Sequence, residues 1–164
     1  MSAVPRRDRW VEPSPHALVF DRSDIPGAVG IQPRYGDDIW DLRDLVGRAG
    51  VKAAVVDFNE VPPGFVEFSK RLVWSWINND TALDLLVRQT AARQRMAAVT
   101  IAALFTRDVI PWLCWLWDRR VTSIADVDTE DLAGYAEEVA ANRLARDRQA
   151  RMLFSIPRVW LHSP

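Results

Sequence analysis

At 164 residues, with 49% hydrophobic residues and eight tryptophans, the chain is long enough for one domain with a real core and too apolar to stay disordered. Its formal net charge of -1 names no partner, because it conceals strong local segregation. A single cysteine, Cys114, excludes a disulfide within the chain and fits an intracellular, cytoplasmic setting, and MSAVPRRDRW lacks the apolar core of a signal peptide.

Residues 1–62 read as an irregular, Pro-rich N-terminal arm. Pro5, Pro13, Pro15, Pro26, Pro33 and Pro62, with Gly27, Gly30, Gly36 and Gly47, leave no room for long regular elements. Within it DDIWDLRDLVGRAG sets Ile39, Leu42, Leu45 and Val46 at helical spacing and ends on glycine, which predicts a short helix near 39–47. Val51 to Phe58 suits an extended strip that helps anchor the arm on a helical body.

From residue 63 to 164 the texture is helical. After the Pro62-Pro63-Gly64 break, Phe65, Phe68, Leu72 and Trp76 recur at three and four residues, an amphipathic helix with Lys70, Arg71 and Ser75 off its apolar stripe. The central helix spans Arg88 to Arg120. It is apolar on nearly every face from Met96 to Phe105 and again from Val109 to Trp117, as expected of a helix surrounded by partners. Pro111 predicts a kink, or two helices meeting, near Arg107 to Trp112.

Met96 to Trp117 is also long enough to cross a bilayer. Arg107 and Asp108 at its centre each cost roughly 2.5 to 3.5 kcal/mol there, while each Leu, Ile, Val or Phe returns only about 0.3 to 0.6, so insertion is not favoured and a buried helix without membrane is expected. Asp128 caps the next helix, with Glu130 and Asp131 in its first turn and Leu132, Tyr135 and Val139 on its buried stripe. The last segment, Leu144 to Leu161, is Arg-rich and interrupted by Pro157. Two basic stretches thus flank an acidic one, Asp126 to Glu138, which holds six carboxylates and no basic residue.

The order of WLCWLWDRR, then VTSIADVDTEDLAGYAEEVA, then RLARDRQARMLFSIPRVWL resembles the core-binding, or SAM-like N-terminal, domain of tyrosine recombinases and phage integrases. In that family the long helix ends in a run of the form "rfl.wl...gv", followed by "sl.dit..dl..yl..l" and an Arg-rich helix. The resemblance covers about residues 64 to 161. It implies an all-α fold, a four- to five-helix orthogonal bundle behind the irregular arm, that clamps double-stranded DNA and works beside other recombinase subunits in DNA integration and site-specific recombination.

Phosphate neutralisation by arginine is the physical basis of such binding. The residues placed to supply it are Arg93 and Arg95 at the start of the central helix and Arg143, Arg146, Arg148 and Arg151 around the last one. Neither His16 nor His162 forms the family's HxxR pair, and neither Tyr35 nor Tyr135 lies where its nucleophile would, so no recombinase chemistry is expected in this chain, which reads as truncated before a catalytic domain.

No cofactor is expected. The acidic groups Asp37-Asp38-Asp41-Asp44 and Asp126-Asp128-Asp131 sit at helix starts without the glycine-spaced loop of a calcium site, so no metal is expected either. The rival reading is a helical protein-interaction module that works through a tryptophan-rich surface and never touches DNA.

Overall fold

The computed structural model describes residues 11–21, 31–46, 54–78 and 91–141, with 91–97 described as backbone alone. In chain order these form β1 (Ile39–Asp41), α1 (Arg43–Val46), β2 (Val55–Asp57), α2 (Val66–Asn78), α3 (Ala91–Leu104), a π-helical turn (Phe105–Val109), α4 (Ile110–Asp118) and α5 (Thr129–Ala141). Short 3-10 turns lie at Phe58–Glu60, Pro63–Phe65 and Ile124–Asp126.

Helices dominate, but the all-α expectation needs correcting, because β1 and β2 form an antiparallel ladder pairing Ile39 with Asp57, Trp40 with Val56 and Asp41 with Val55. The helix expected near 39–47 shrinks to α1 for the same reason. Ile39, Leu42, Leu45 and Val46 fit a helical period, yet Trp40 is fully buried while Ile39 is half exposed, the alternation of a strand. The Trp40 ring packs edge-on against Phe58 at 4.9 Å, and its Nε1–H donates to the Asp37 carbonyl at 3.0 Å. A helix over the same residues would forgo both the ladder and that packing. The helix begins only after Asp41, whose carboxylate accepts the Arg43 backbone N–H at 3.0 Å and pairs with its guanidinium. A bridge between Leu18 and Arg34 lays residues 11–21 beside 31–36.

α2 follows the 3-10 turn Pro63–Phe65, whose first position is a proline, where a missing N–H costs nothing. Phe65, Ser69, Leu72 and Val73 are buried, and Phe68 and Trp76 are partly so. Lys70, expected off the apolar stripe, is buried as well, because the N-terminal segments cover that side of the helix. Its Nζ donates to the Gly36 carbonyl and to Asp38, each at 3.1 Å, and lies 5.6 Å from the centre of the Phe58 ring.

The central helix bends where Pro111 requires it. Proline has no N–H to donate one turn back, and its ring crowds the carbonyl four residues earlier, that of Arg107. The chain relieves this by widening one turn, Phe105–Val109, so that the Ile110 N–H reaches the Phe105 carbonyl five residues back. A single buried seam runs through the bend: Ala98, Ile101, Ala102, Phe105, Val109, Trp112, Leu113 and Leu116. Burying each of the larger side chains contributes about 1.5 to 3 kcal/mol, and the seam joins a core that also takes in Trp40, Phe58, Phe65 and Tyr135. Ala98–Asp118 has the length and composition of a membrane span, and half of it is buried inside the fold. Arg107 is exposed on the widened turn and Asp108 is buried.

α4 ends in a tight reversal. The Arg120 N–H donates to the Trp117 carbonyl at 3.0 Å and the Val121 N–H to the Leu116 carbonyl at 3.1 Å, the two bonds of a Schellman stop. That stop requires a left-handed residue, and Arg120 takes it, with φ 68°. Ser123 then caps the turn Ile124–Asp126, and Asp128 caps α5: its Oδ1 accepts from the N–H groups of Glu130 at 2.8 Å and Asp131 at 2.9 Å. Asp131 returns the bond by accepting the Asp128 N–H at 3.1 Å. Tyr135 and Val139 bury their side chains, with Tyr135 edge-on to Trp115 at 5.3 Å.

Candidate nucleic-acid interface

Of the six arginines that the sequence nominates, Arg93 and Arg95 stand on the first turns of α3, where only the backbone is described. Arg143, Arg146, Arg148 and Arg151 lie outside the described residues. The described residues therefore fix the frame on which these groups sit, the start of the central helix and the exit of α5, rather than the contacts between them.

The described cations divide into two kinds. Arg34 Nη1 donates to the His16 carbonyl at 3.0 Å, Arg43 pairs with Asp41, Lys70 with Asp38, and Arg71 with Glu12 at 2.9 Å and Glu67 at 3.3 Å. Arg119 stacks its guanidinium 3.6 Å above the Trp115 ring and lies 4.0 Å from Glu138. These five serve the fold. Among the described residues Arg107 and Arg120 have no such partner, and both are exposed. On Arg107 the helical neighbours at three and four positions are Ala103, Leu104, Ile110 and Pro111, none of which can pair with it. Neither residue was nominated by periodicity. The sequence signal for Arg120 was present all the same: a helix closing in WLWDRRV has no glycine with which to stop.

The opposite sign gathers on α5. Glu130, Asp131, Glu137 and Glu138, with Trp115, Arg119, Gly134 and Ala141, line an open depression of about 530 Å³ between α4 and α5. Four carboxylates against one guanidinium make this side repel phosphate at any ionic strength low enough for exposed charges to be felt.

A third cluster ties the N-terminal segments to α2. The buried Tyr35 hydroxyl donates to Glu67 Oε1 at 2.7 Å. Burial raises the Tyr35 pKa well above the ordinary phenol value, and the hydrogen bond to Glu67 adds to it. For Glu67 burial acts upward, but the hydrogen bond from Tyr35 and the nearby Arg71 outweigh it and hold the carboxyl below its usual range. Burial, with Asp118 and Glu60 nearby, pushes the Cys114 thiol up, so it is not poised as a nucleophile.

The acidic groups read from the sequence have local uses. Asp37 accepts the Arg34 backbone N–H at 2.8 Å, Asp38 and Asp41 hold Lys70 and Arg43, and Asp128 and Asp131 close the α5 cap. Among the described residues no group of three or more metal-ligating side chains gathers. No family model, curated protein or solved structure matches the chain.

Proposed function

We propose that this chain is a duplex-DNA-binding module with the four- to five-helix architecture of a tyrosine-recombinase core-binding domain, contributing binding rather than catalysis, in the cytoplasm and beside further recombinase subunits. The observation that carries the reading is the register of its middle third. Laid on the chain, "rfl.wl...gv" falls on Trp112-Leu113, Trp115-Leu116 and Arg120-Val121, and "sl.dit..dl..yl..l" on Ser123-Ile124, Asp126-Val127-Asp128, Asp131-Leu132, Tyr135 and Val139.

Each position has the physical role that such a pattern needs. Trp112, Leu113 and Leu116 are buried, Val121 folds back onto Leu116, Ser123 and Asp128 are caps, and Tyr135 and Val139 face the core. Two departures stand out. Aspartate replaces threonine as the cap of α5, which preserves the function, and arginine replaces glycine at the left-handed residue, which does not preserve the economy of the turn.

Charge placement supports the same reading. In the sequence the arginines of α3 and of the Arg-rich last segment occupy stretches separate from the acidic one, and α5 exposes its carboxylates. The rival reading, a tryptophan-rich protein-binding surface, has less to work with: of the described tryptophans Trp40 and Trp112 are fully buried, Trp74, Trp76 and Trp115 are partly buried, and Trp117 is the one classed as exposed.

The test is a salt series. Binding of the full chain to generic duplex, followed between about 50 and 200 mM salt, is expected to weaken steeply, with a slope of roughly -0.9 per neutralised phosphate. Absence of binding at the low end overturns the proposal.

A further inference from the structure

Arg120 combines three features that have no common structural explanation. Its backbone is left-handed, φ 68°, in a Schellman stop where glycine, or failing that asparagine, meets the geometry without a Cβ penalty. Its side chain is exposed and, among the described residues, meets neither a carboxylate nor a carbonyl. Its neighbour Arg119, by contrast, is stacked on Trp115 and drawn to Glu138. Arginine here therefore weakens the turn and, among the described residues, adds no ion pair or hydrogen bond of its side chain. What it adds is a guanidinium whose forked N–H donors match the oxygens of a phosphate.

We infer that Arg120 is a phosphate contact, kept at the elbow between α4 and α5 at the expense of stability. The inference rests on the DNA-binding reading and extends it from the two nominated basic stretches to the far end of the central helix. The spacing suits it. At 1.5 Å per residue the path from Arg95 to Arg120 is at most roughly 38 Å, shortened by the widened turn, the bend and the reversal at its end. Phosphates on one side of a duplex recur every helical turn, about 34 to 36 Å. A helical segment of about this reach laid along one side of DNA can bring its two ends near phosphates one turn apart. The Pro111 bend lies midway and presents exposed Thr106 and Arg107, with no exposed carboxylate on that turn.

The experiment compares the native 164-residue chain with Arg120→Gly and Arg120→Asn, measuring melting temperature and the salt dependence of binding to generic duplex in parallel. Both substitutions suit a left-handed residue and both remove the guanidinium. The expected result is opposite in sign for the two measurements. Relief of the turn raises Tm, by roughly 2 to 4 °C for Arg120→Gly, while the salt slope falls by about 0.9 and affinity near 0.1 M salt drops by up to roughly eightfold. A purely structural role moves Tm and leaves the slope alone.

Native chain that binds, with both variants binding equally well and with the same slope, overturns the assignment of Arg120 and leaves the DNA-binding reading intact. Loss of binding in Arg120→Gly but not in Arg120→Asn also overturns it, since backbone freedom would then be the cause. Native chain that fails to bind duplex at 50 mM salt overturns the reading itself, and the inference with it.

Discussion

α2 and α5 are each thirteen residues long, each carries charged residues off an apolar stripe, and the chain treats those charges in opposite ways. On α2, Glu67, Lys70 and Arg71 are taken up by Tyr35, by Gly36 and Asp38, and by Glu12, partners 32 to 59 residues away in sequence. Glu130 and Glu137 on α5 are exposed, Glu138 lies 4.0 Å from Arg119 at the surface, and the helix relies for its start on Asp128 next to it. A periodic charged face is thus not one kind of thing. The first is an internal fastening for the N-terminal segments, and the second is an exposed acidic surface.

The comparison can be broken most severely at the joint between the two regions. Gly64, which leads into α2, lies so close to the connector before α5 that a methyl group there would overlap the Thr122 carbonyl oxygen. Because the obstacle is backbone rather than a side chain that can turn away, Gly64→Ala should cost about 3 kcal/mol or more, the upper end of overpacking penalties, read as a drop in the denaturation midpoint. Next comes the fastening itself. Lys70→Ala leaves the Gly36 carbonyl and Asp38 without their donor and should cost about 1 to 3 kcal/mol, whereas Glu137→Gln should stay within about 0.5 kcal/mol of the native chain. Equal effects at Lys70 and Glu137 would erase the distinction between the two helices.

Asp128→Ala removes the cap of α5 and should cost about 0.5 to 2 kcal/mol without moving the Tyr35–Glu67 contact. The smallest effect is a pH dependence confined to the α2 side. Glu67 has a folded pKa below its unfolded value, so its contribution is present above the unfolded value, about 4.3, and fades as pH falls through the folded one. Tyr35 has a raised folded pKa, so its contribution is complete below about 10 and is lost as pH rises beyond it. Urea midpoints across pH should show both losses in the native chain, and Glu67→Gln should remove the acid one; an acid limb unchanged in that variant would assign it to other carboxylates.

Much of this was legible because its causes are local. The central helix, its break near Arg107 to Trp112, the Asp128 cap and the buried Tyr135 and Val139 follow from apolar spacing, one proline and one aspartate. Two other features were not, because distant residues decide them. Trp40 reads as part of a helix until Val56 and Phe58 offer it a strand partner and a ring, and Lys70 reads as solvated until the N-terminal segments close over it. At the candidate interface the sequence pointed to the basic stretches by density of arginine. It did not single out Arg120: the missing glycine in WLWDRRV hints at a strained stop, but the backbone angle and the lack of a partner among the described residues are not reported by spacing.

The face of the molecule that meets phosphate decides between the two kinds of surface. The most direct measurement is the salt slope of duplex binding for Arg148→Ala/Arg151→Ala beside Glu137→Gln/Glu138→Gln, with melting temperature followed to confirm that both variants fold. The arginine pair is expected to lower affinity for all sequences and to flatten the slope by about one to two units, roughly 0.9 per lost contact, while the glutamate pair leaves affinity unchanged or raises it. An unchanged slope in the arginine variant, or an equal loss from neutralising the glutamates, would contradict that expectation.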